Sequence, residues 1–155
     1  MRTHLLLGSL FCVYCSWGCQ PQVDVDAETA GVRAALDAYV GAVEAEDMAQ
    51  YGQVVAHEQA VVHFGAFGAP IAGWDALQEV MAGQNAMLDS IQIEQSDVAV
   101  HVLPSGDWAW ATSLWDFTAL MGEESMALPV RCTWVLEKRA DGWKVVHFHK
   151  SVSAA

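Results

Sequence analysis

From Ala27 to Asp47 the apolar residues Val32, Ala35, Leu36, Tyr39, Val40 and Val43 recur at the spacing of one helical face, with Arg33, Asp37 and Glu44 between them. This predicts an amphipathic helix of about four turns. Asp47 is placed to cap a second, shorter helix through "MAQYGQVVA", with Met48, Tyr51 and Val55 on one side. The period then changes. "AVVHFGAFGAPIAG" is rich in β-formers and punctuated by glycine and proline, which predicts a short strand, a bend and a lead into a third helix beginning near Trp74. After Asp89-Ser90 four long β-rich runs follow: Ile91 to Leu103, Trp108 to Met121, Met126 to Lys138 and Trp143 to Val152. The turn sequences "PSGD", "GEES" and "ADG" separate them. Long consecutive strands joined by short turns pair antiparallel. Helices first and a curved antiparallel sheet afterwards is an α+β layout, and a curved sheet wrapped around N-terminal helices leaves room for a pocket between them.

The first eighteen residues do not fit this plan. "MRTHLLLGSLFCVYCSWG" has a basic start at Arg2, an apolar run from Leu5 to Tyr14 and a small-x-small ending, the anatomy of an export signal. Cys19 follows it, as in a bacterial lipoprotein signal, although Ser16 and Trp17 depart from the usual pattern. Residues 1–18 are therefore expected to be removed, 19–28 to form a polar tether and 29–155 to form one domain. The expected location is outside the cytoplasm: a periplasmic or outer-membrane lipoprotein, or a secreted protein. A lipid on Cys19 is the one expected link to a membrane.

The cysteines agree with this division. Cys12, Cys15 and Cys19 lie in or beside the leader, so Cys132 is the only one in the domain, where it reads as a small buried hydrophobe. With 19 acidic and 7 basic residues the formal net charge is −12, which disfavours nucleic acid as a partner. Five of the basic residues fall at or after Arg131. Lys138, Arg139 and Lys144 suit strand ends and a turn, and an outer salt bridge is expected for Arg131.

No glycine-rich phosphate loop, Gly-x-Ser-x-Gly elbow or His-Glu-x-x-His helix is present. The last strand carries His147 and His149, which share one face with Ser151, while Val146, Phe148 and Lys150 take the other. Two histidines so spaced can chelate a metal, but a third ligand is needed, and His57, Glu58, His63, His101 and Asp116 offer no second paired spacing. No metal and no cofactor is expected.

Four segments resemble the SnoaL-like branch of the nuclear-transport-factor-2-like superfamily, which also holds the ketosteroid isomerases and the association domain of calcium/calmodulin-dependent kinase II. They are "AYVGAVEAED" at 38–47, "AVVHFG" with the helix-opening Gly73, "GDWAW" at 106–110 and, most specifically, "TWVLEKRADGWKVVHFHKS" at 133–151. The likeness runs from Ala30 to Ser151. It implies a cone-shaped α+β barrel with an apolar cavity, and dimers or larger rings packed through the outer sheet face. It does not imply one activity.

By the resemblance, Tyr39 matches the isomerases' hydrogen-bond donor to the oxyanion. Their aspartate base falls on Phe64, or on His63 if the register slips by one, and their second acid falls near Trp134. Phe64 cannot accept a proton and Trp134 is not an acid, so steroid isomerisation is not expected. Phe148 and Lys150 are implied to face the cavity, which puts His147, His149 and Ser151 on the outer face in an interface or structural role. The expected lining is then Tyr39, Phe64, Trp110, Thr112, Trp134, Phe148 and Lys150, with Trp74 near the mouth. The leading expectation is a homodimeric or larger domain that binds a small apolar or amphipathic molecule, with Lys150 at its polar end. Two alternatives stand beside it: a cyclase, isomerase or dehydratase using Tyr39 with His63 or a strand histidine as base, and a non-catalytic association module whose cone is filled.

Overall fold

The structure is a computed structural model that describes residues 23–153. The expected leader, Cys19 and the tether up to Gln22 lie outside the described residues. Helix α1 (Val25–Glu44) is followed by α2 (Met48–Val54), the two-residue strands β1 (Val62–His63) and β2 (Ile71–Ala72), and α3 (Gly73–Met87). Four long strands complete the chain: β3 (Asp89–Val102), β4 (Trp108–Met121), β5 (Glu124–Arg139) and β6 (Gly142–Val152). They form one antiparallel sheet in the order β3-β4-β5-β6, while β1 and β2 pair as a small hairpin. This is the α+β fold expected from the sequence.

Helix α1 starts inside the stretch expected to be a tether, and its anchors explain why. The Asp24 carboxylate accepts from the Ala27 amide at 3.1 Å and caps the first turn. One turn on, Glu28 accepts from the Trp143 indole at 3.1 Å and pairs with Lys138, which fixes the helix start to β5 and β6. Glycine at 31 lets the Trp143 ring approach, because a Cβ there would lie 3.0 Å from the ring. Farther along, Val32, Leu36, Tyr39, Val40 and Val43 are buried against the sheet, as their spacing predicts.

The face of the sheet turned toward the helices follows strict alternation in β4: Ala109, Ala111, Ser113, Trp115, Phe117 and Ala119 point inward. Strand β5 supplies Val130, Cys132, Trp134 and Leu136 to the same core. Strand β6 breaks the alternation. Leu136 pairs with Val145 and Val135 with His147, so Val146 is an extra residue in a bulge. The bulge turns Val145 inward on one side of it and Phe148 inward on the other, whereas uniform alternation would have put Val146 with Phe148.

Two basic residues also differ from expectation. Lys144 is buried, donating to the Gln53 carbonyl and paired with Asp141, rather than solvated. Arg131 has no carboxylate partner among the described residues and reaches the Val152 carbonyl at 3.4 Å instead of forming a salt bridge.

Candidate functional site

An apolar cavity of about 450 Å³ opens between α3, the loop after β1 and the inner face of β4, β5 and β6. Its volume suits a small organic ligand. Leu77, Met81 and Met87 of α3 form one wall, and Trp115, Phe117 and Leu128 of the sheet form the opposite one. Phe148 and Lys150 close the floor.

Lys150 is the polar feature of that floor. It pairs with Cys132 across β5 and β6, and Cys132 is itself buried and inward, so the lysine is directed into the domain. Its Nζ lies 4.6 Å from the centre of the Trp115 ring, 4.7 Å from Phe148, 5.0 Å from Tyr39 and 5.9 Å from Trp134. It donates to the Tyr39 hydroxyl at 3.1 Å, and that hydroxyl is 2.7 Å from the hydroxyl of Tyr51. Lys138 and Lys144 each have a carboxylate partner, whereas Lys150 has none among the described residues. Two effects oppose each other at this amine. Removal from water disfavours the ammonium, and four aromatic faces favour it. Desolvation dominates and lowers the Lys150 pKa to about 8, with a smaller opposing contribution from Cys132. At pH 7 the group is then about nine-tenths ammonium and one-tenth free amine.

Burial raises the pKa of the Tyr39 hydroxyl well above the ordinary tyrosine value, and Tyr51 is also shifted up by burial. Cys132 is pushed up to about 11 by the same cause, which leaves it a thiol at neutral pH.

Behind the floor, His63 is 1% exposed and stacks on Phe148 with ring centres 4.4 Å apart. Its Nδ1 accepts from the Phe148 amide at 3.2 Å. A neutral ring so engaged carries its proton on Nε2 and keeps no free lone pair. Burial, with help from His147 and Lys150, lowers its pKa to about 4. His63 is therefore poorly equipped to act as a base.

Several expected lining residues lie elsewhere. Trp110 is 43% exposed and stacks on His101 at 4.0 Å, and Thr112 shares its outer face, which corrects both assignments to the cavity. The reason is parity, since the inward positions of β4 are the odd-numbered ones. Phe64 is likewise corrected. Its backbone bridges to His149, it is 41% exposed, and its ring rests 5.6 Å from the rings of His147 and His149. Trp74 packs at the α2–α3 junction on His57 and Tyr51, away from the cavity wall. Tyr39 and Trp134 are fully buried behind Lys150, within the aromatic core but not on the cavity surface.

The outer-face residues also have definite surroundings. His147 donates through Nδ1 to the Val62 carbonyl at 2.6 Å and so holds β1 to β6, while His149 is exposed and Ser151 is half-buried. Among the described residues no three His, Cys, Asp or Glu side chains converge to hold a metal ion. The cavity residues that the sequence reading missed include the α3 wall, the loop after β1, and Trp115, Phe117 and Leu128 of the sheet.

A family model described as the SnoaL-like domain matches residues 32–155. Among curated proteins, none matches the chain. A nuclear transport factor 2-like superfamily protein from Salmonella enterica serovar Typhimurium superposes with a TM-score of 0.76 at 20% identity, over 84% of this chain and 94% of that one. A ketosteroid isomerase-like protein from Erwinia carotovora atroseptica gives 0.68 at 23% identity, over 83% and 98%. A calcium/calmodulin-dependent kinase II hub from S. rosetta gives 0.67 at 25% identity, over 81% and 96%.

Proposed function

The chain belongs to the SnoaL-like domain family, and on that premise we propose that it is an exported binding domain for a small amphipathic molecule carrying an anionic head group. The observation that supports this reading most is the Lys150 amine, enclosed by aromatic rings, without a carboxylate partner among the described residues, on the floor of an apolar cavity. The tail lies between α3 and the sheet, and the head group completes the ion pair that the protein leaves open. Charge-assisted hydrogen bonds of this kind are the strong ones. The free volume argues against a cone filled by its own side chains. The enzymatic alternative loses His63 as its base, and the Tyr39 hydroxyl is already engaged by Tyr51 and Lys150.

Titration calorimetry with decanoate and decanol tests the reading. Decanoate is expected to bind at least about tenfold more tightly. That preference should fade as the pH rises through the Lys150 pKa of about 8, because the ammonium is the form that attracts the carboxylate. Equal affinity for the two ligands, or no binding of either, would refute it.

Self-association is proposed through the outer face of β4, where Trp108, Trp110 and Leu114 form an exposed apolar stripe. A second copy of the chain is the occupant we favour, because the S. rosetta protein of similar fold is a kinase hub. Leu114 is 43% exposed, so Leu114→Glu should shift sedimentation from dimer to monomer at micromolar concentration without unfolding the domain. A variant that sediments like the parent would exclude this face.

Export is proposed from the leader pattern at residues 1–18, with lipid on Cys19 as one outcome. Intact mass of the exported protein separates a lipid-modified cysteine from an unmodified chain end.

A further inference from the structure

From its enclosure, its single hydrogen-bonding partner and its place in the cavity wall, we infer that Lys150 captures apolar aldehydes as a reversible imine. This goes beyond the proposed binding function, since an aldehyde carries no anionic head group, and rests on the same cavity. A lysine becomes an amine nucleophile when burial suppresses its ammonium form and no anion restores it. The three lysines of the chain divide on that criterion. Lys138 pairs with Glu28 and Lys144 with Asp141, whereas half-buried Lys150 meets aromatic faces and the Tyr39 hydroxyl and no carboxylate among the described residues. The ionisable groups around it add no carboxylate. They are Tyr39 from α1 with Tyr51 of α2 behind it, Cys132 from β5, and His63 beside β6. Glu79 of α3 borders the same cavity but is exposed.

Gln84 borders the cavity, and its side-chain amide nitrogen is buried with no hydrogen-bond partner among the described residues. The cavity is otherwise apolar, so an aldehyde with a hydrocarbon tail matches its chemistry better than a sugar or a nucleotide.

The chemistry balances without an oxidant or reductant. The neutral Nζ adds through its lone pair to the carbonyl carbon while the C=O π pair moves to oxygen. One proton passes from nitrogen to that oxygen, giving a carbinolamine. The nitrogen lone pair then expels the hydroxyl group, which leaves as water after taking up a proton, and the second nitrogen proton is released in exchange. Amine and aldehyde thus give one C=N bond and one water. The Tyr39 hydroxyl, 3.1 Å from Nζ, is the group hydrogen-bonded to the nitrogen and able to pass these protons. With the amine pKa near 8, Lys150 holds about 300 times more free amine at pH 7 than a lysine at 10.5.

The test uses the whole protein with decanal and cyanoborohydride, which reduces an imine to a stable secondary amine. Intact mass and peptide mapping follow the label. A single decyl group should appear on Lys150, at least about tenfold faster at pH 7 than on Lys138 or Lys144. Its rate should climb from pH 6 to 8 and then level off, the reverse of the trend expected for decanoate affinity. Lys150→Met should lose the fast label while keeping a cooperative thermal transition. Labelling of all three lysines at similar rates overturns the inference, as does an unlabelled Lys150 in protein that binds decanoate. Absence of both decanoate binding and fast labelling overturns it together with the binding function.

Discussion

Lys150→Met is expected to stabilise the domain by about 1–3 kcal/mol at pH 7 while abolishing the preference for a carboxylate ligand. The lysine pKa falls from 10.5 to about 8 because its ammonium is removed from water. At about 1.4 kcal/mol per unit, that shift amounts to about 3 kcal/mol of lost stability when the group is charged in both states. Methionine keeps an unbranched chain of similar reach and carries no charge to desolvate.

The sign with pH follows directly. Below pH 8 both folded and unfolded chains carry the proton, and the penalty is complete. As the pH rises from 8 to 10.5 the folded chain has already released the proton that the unfolded chain still holds. The parent therefore regains stability over that window, and the advantage of the variant shrinks. Urea denaturation of both proteins at pH 7 and pH 10 measures the difference. A destabilised variant at pH 7 would mean that ring attraction outweighs desolvation.

The second large effect concerns His63. Its pKa lies at about 4 instead of 6.5, because burial next to His147 and Lys150 disfavours the charged ring. Protonation would also remove the acceptor of the Phe148 amide. A base with a lowered folded pKa stabilises fully above its unfolded pKa and loses that contribution as the pH falls toward the folded one. The window is pH 6.5 to about 4, and the loss is about 3 kcal/mol across it. His63→Asn keeps an acceptor near the position of Nδ1 and cannot titrate. Its stability should fall less steeply than the parent's through this window when both are followed by urea denaturation. Parallel curves would show that His63 is not held neutral.

Much of the fold was legible because the periods are clean. The α1 stripe, the Asp47 cap of α2 and the four long strands with their turns all appear close to where the sequence predicts them. The cavity lining was less legible for a reason visible in β4. In "WAWATSLWDFTAL" the tryptophans at 108 and 110 are out of phase with Trp115, so bulk alone cannot choose the inner face. Polarity could have chosen it: Thr112, Asp116 and Thr118 share the phase of Trp110, whereas Ala111, Ser113, Trp115 and Phe117 take the other. Ala109 and Ala111 are fully buried in the core, where a tryptophan has no space.

Strand β6 shows a different limit. The bulge at Val146 shifts the phase within one strand, and an extra residue leaves no mark on a local period. The inward direction of Phe148 and Lys150 came from the family resemblance together with alternation beyond the bulge. The α3 wall was missed because Leu77 and Met81 look like ordinary core in a helical stripe. Only the gap between that helix and β4 distinguishes a cavity wall from a packed core.

A crystal structure of the purified protein with decanoate bears most directly on the role of the cavity. The expected result is a carboxylate within hydrogen-bonding distance of Lys150 Nζ, its alkyl chain running between Met81 and Phe117. Decanoate elsewhere on the surface, or a Lys150 amine turned out of its aromatic enclosure into solvent, would contradict it.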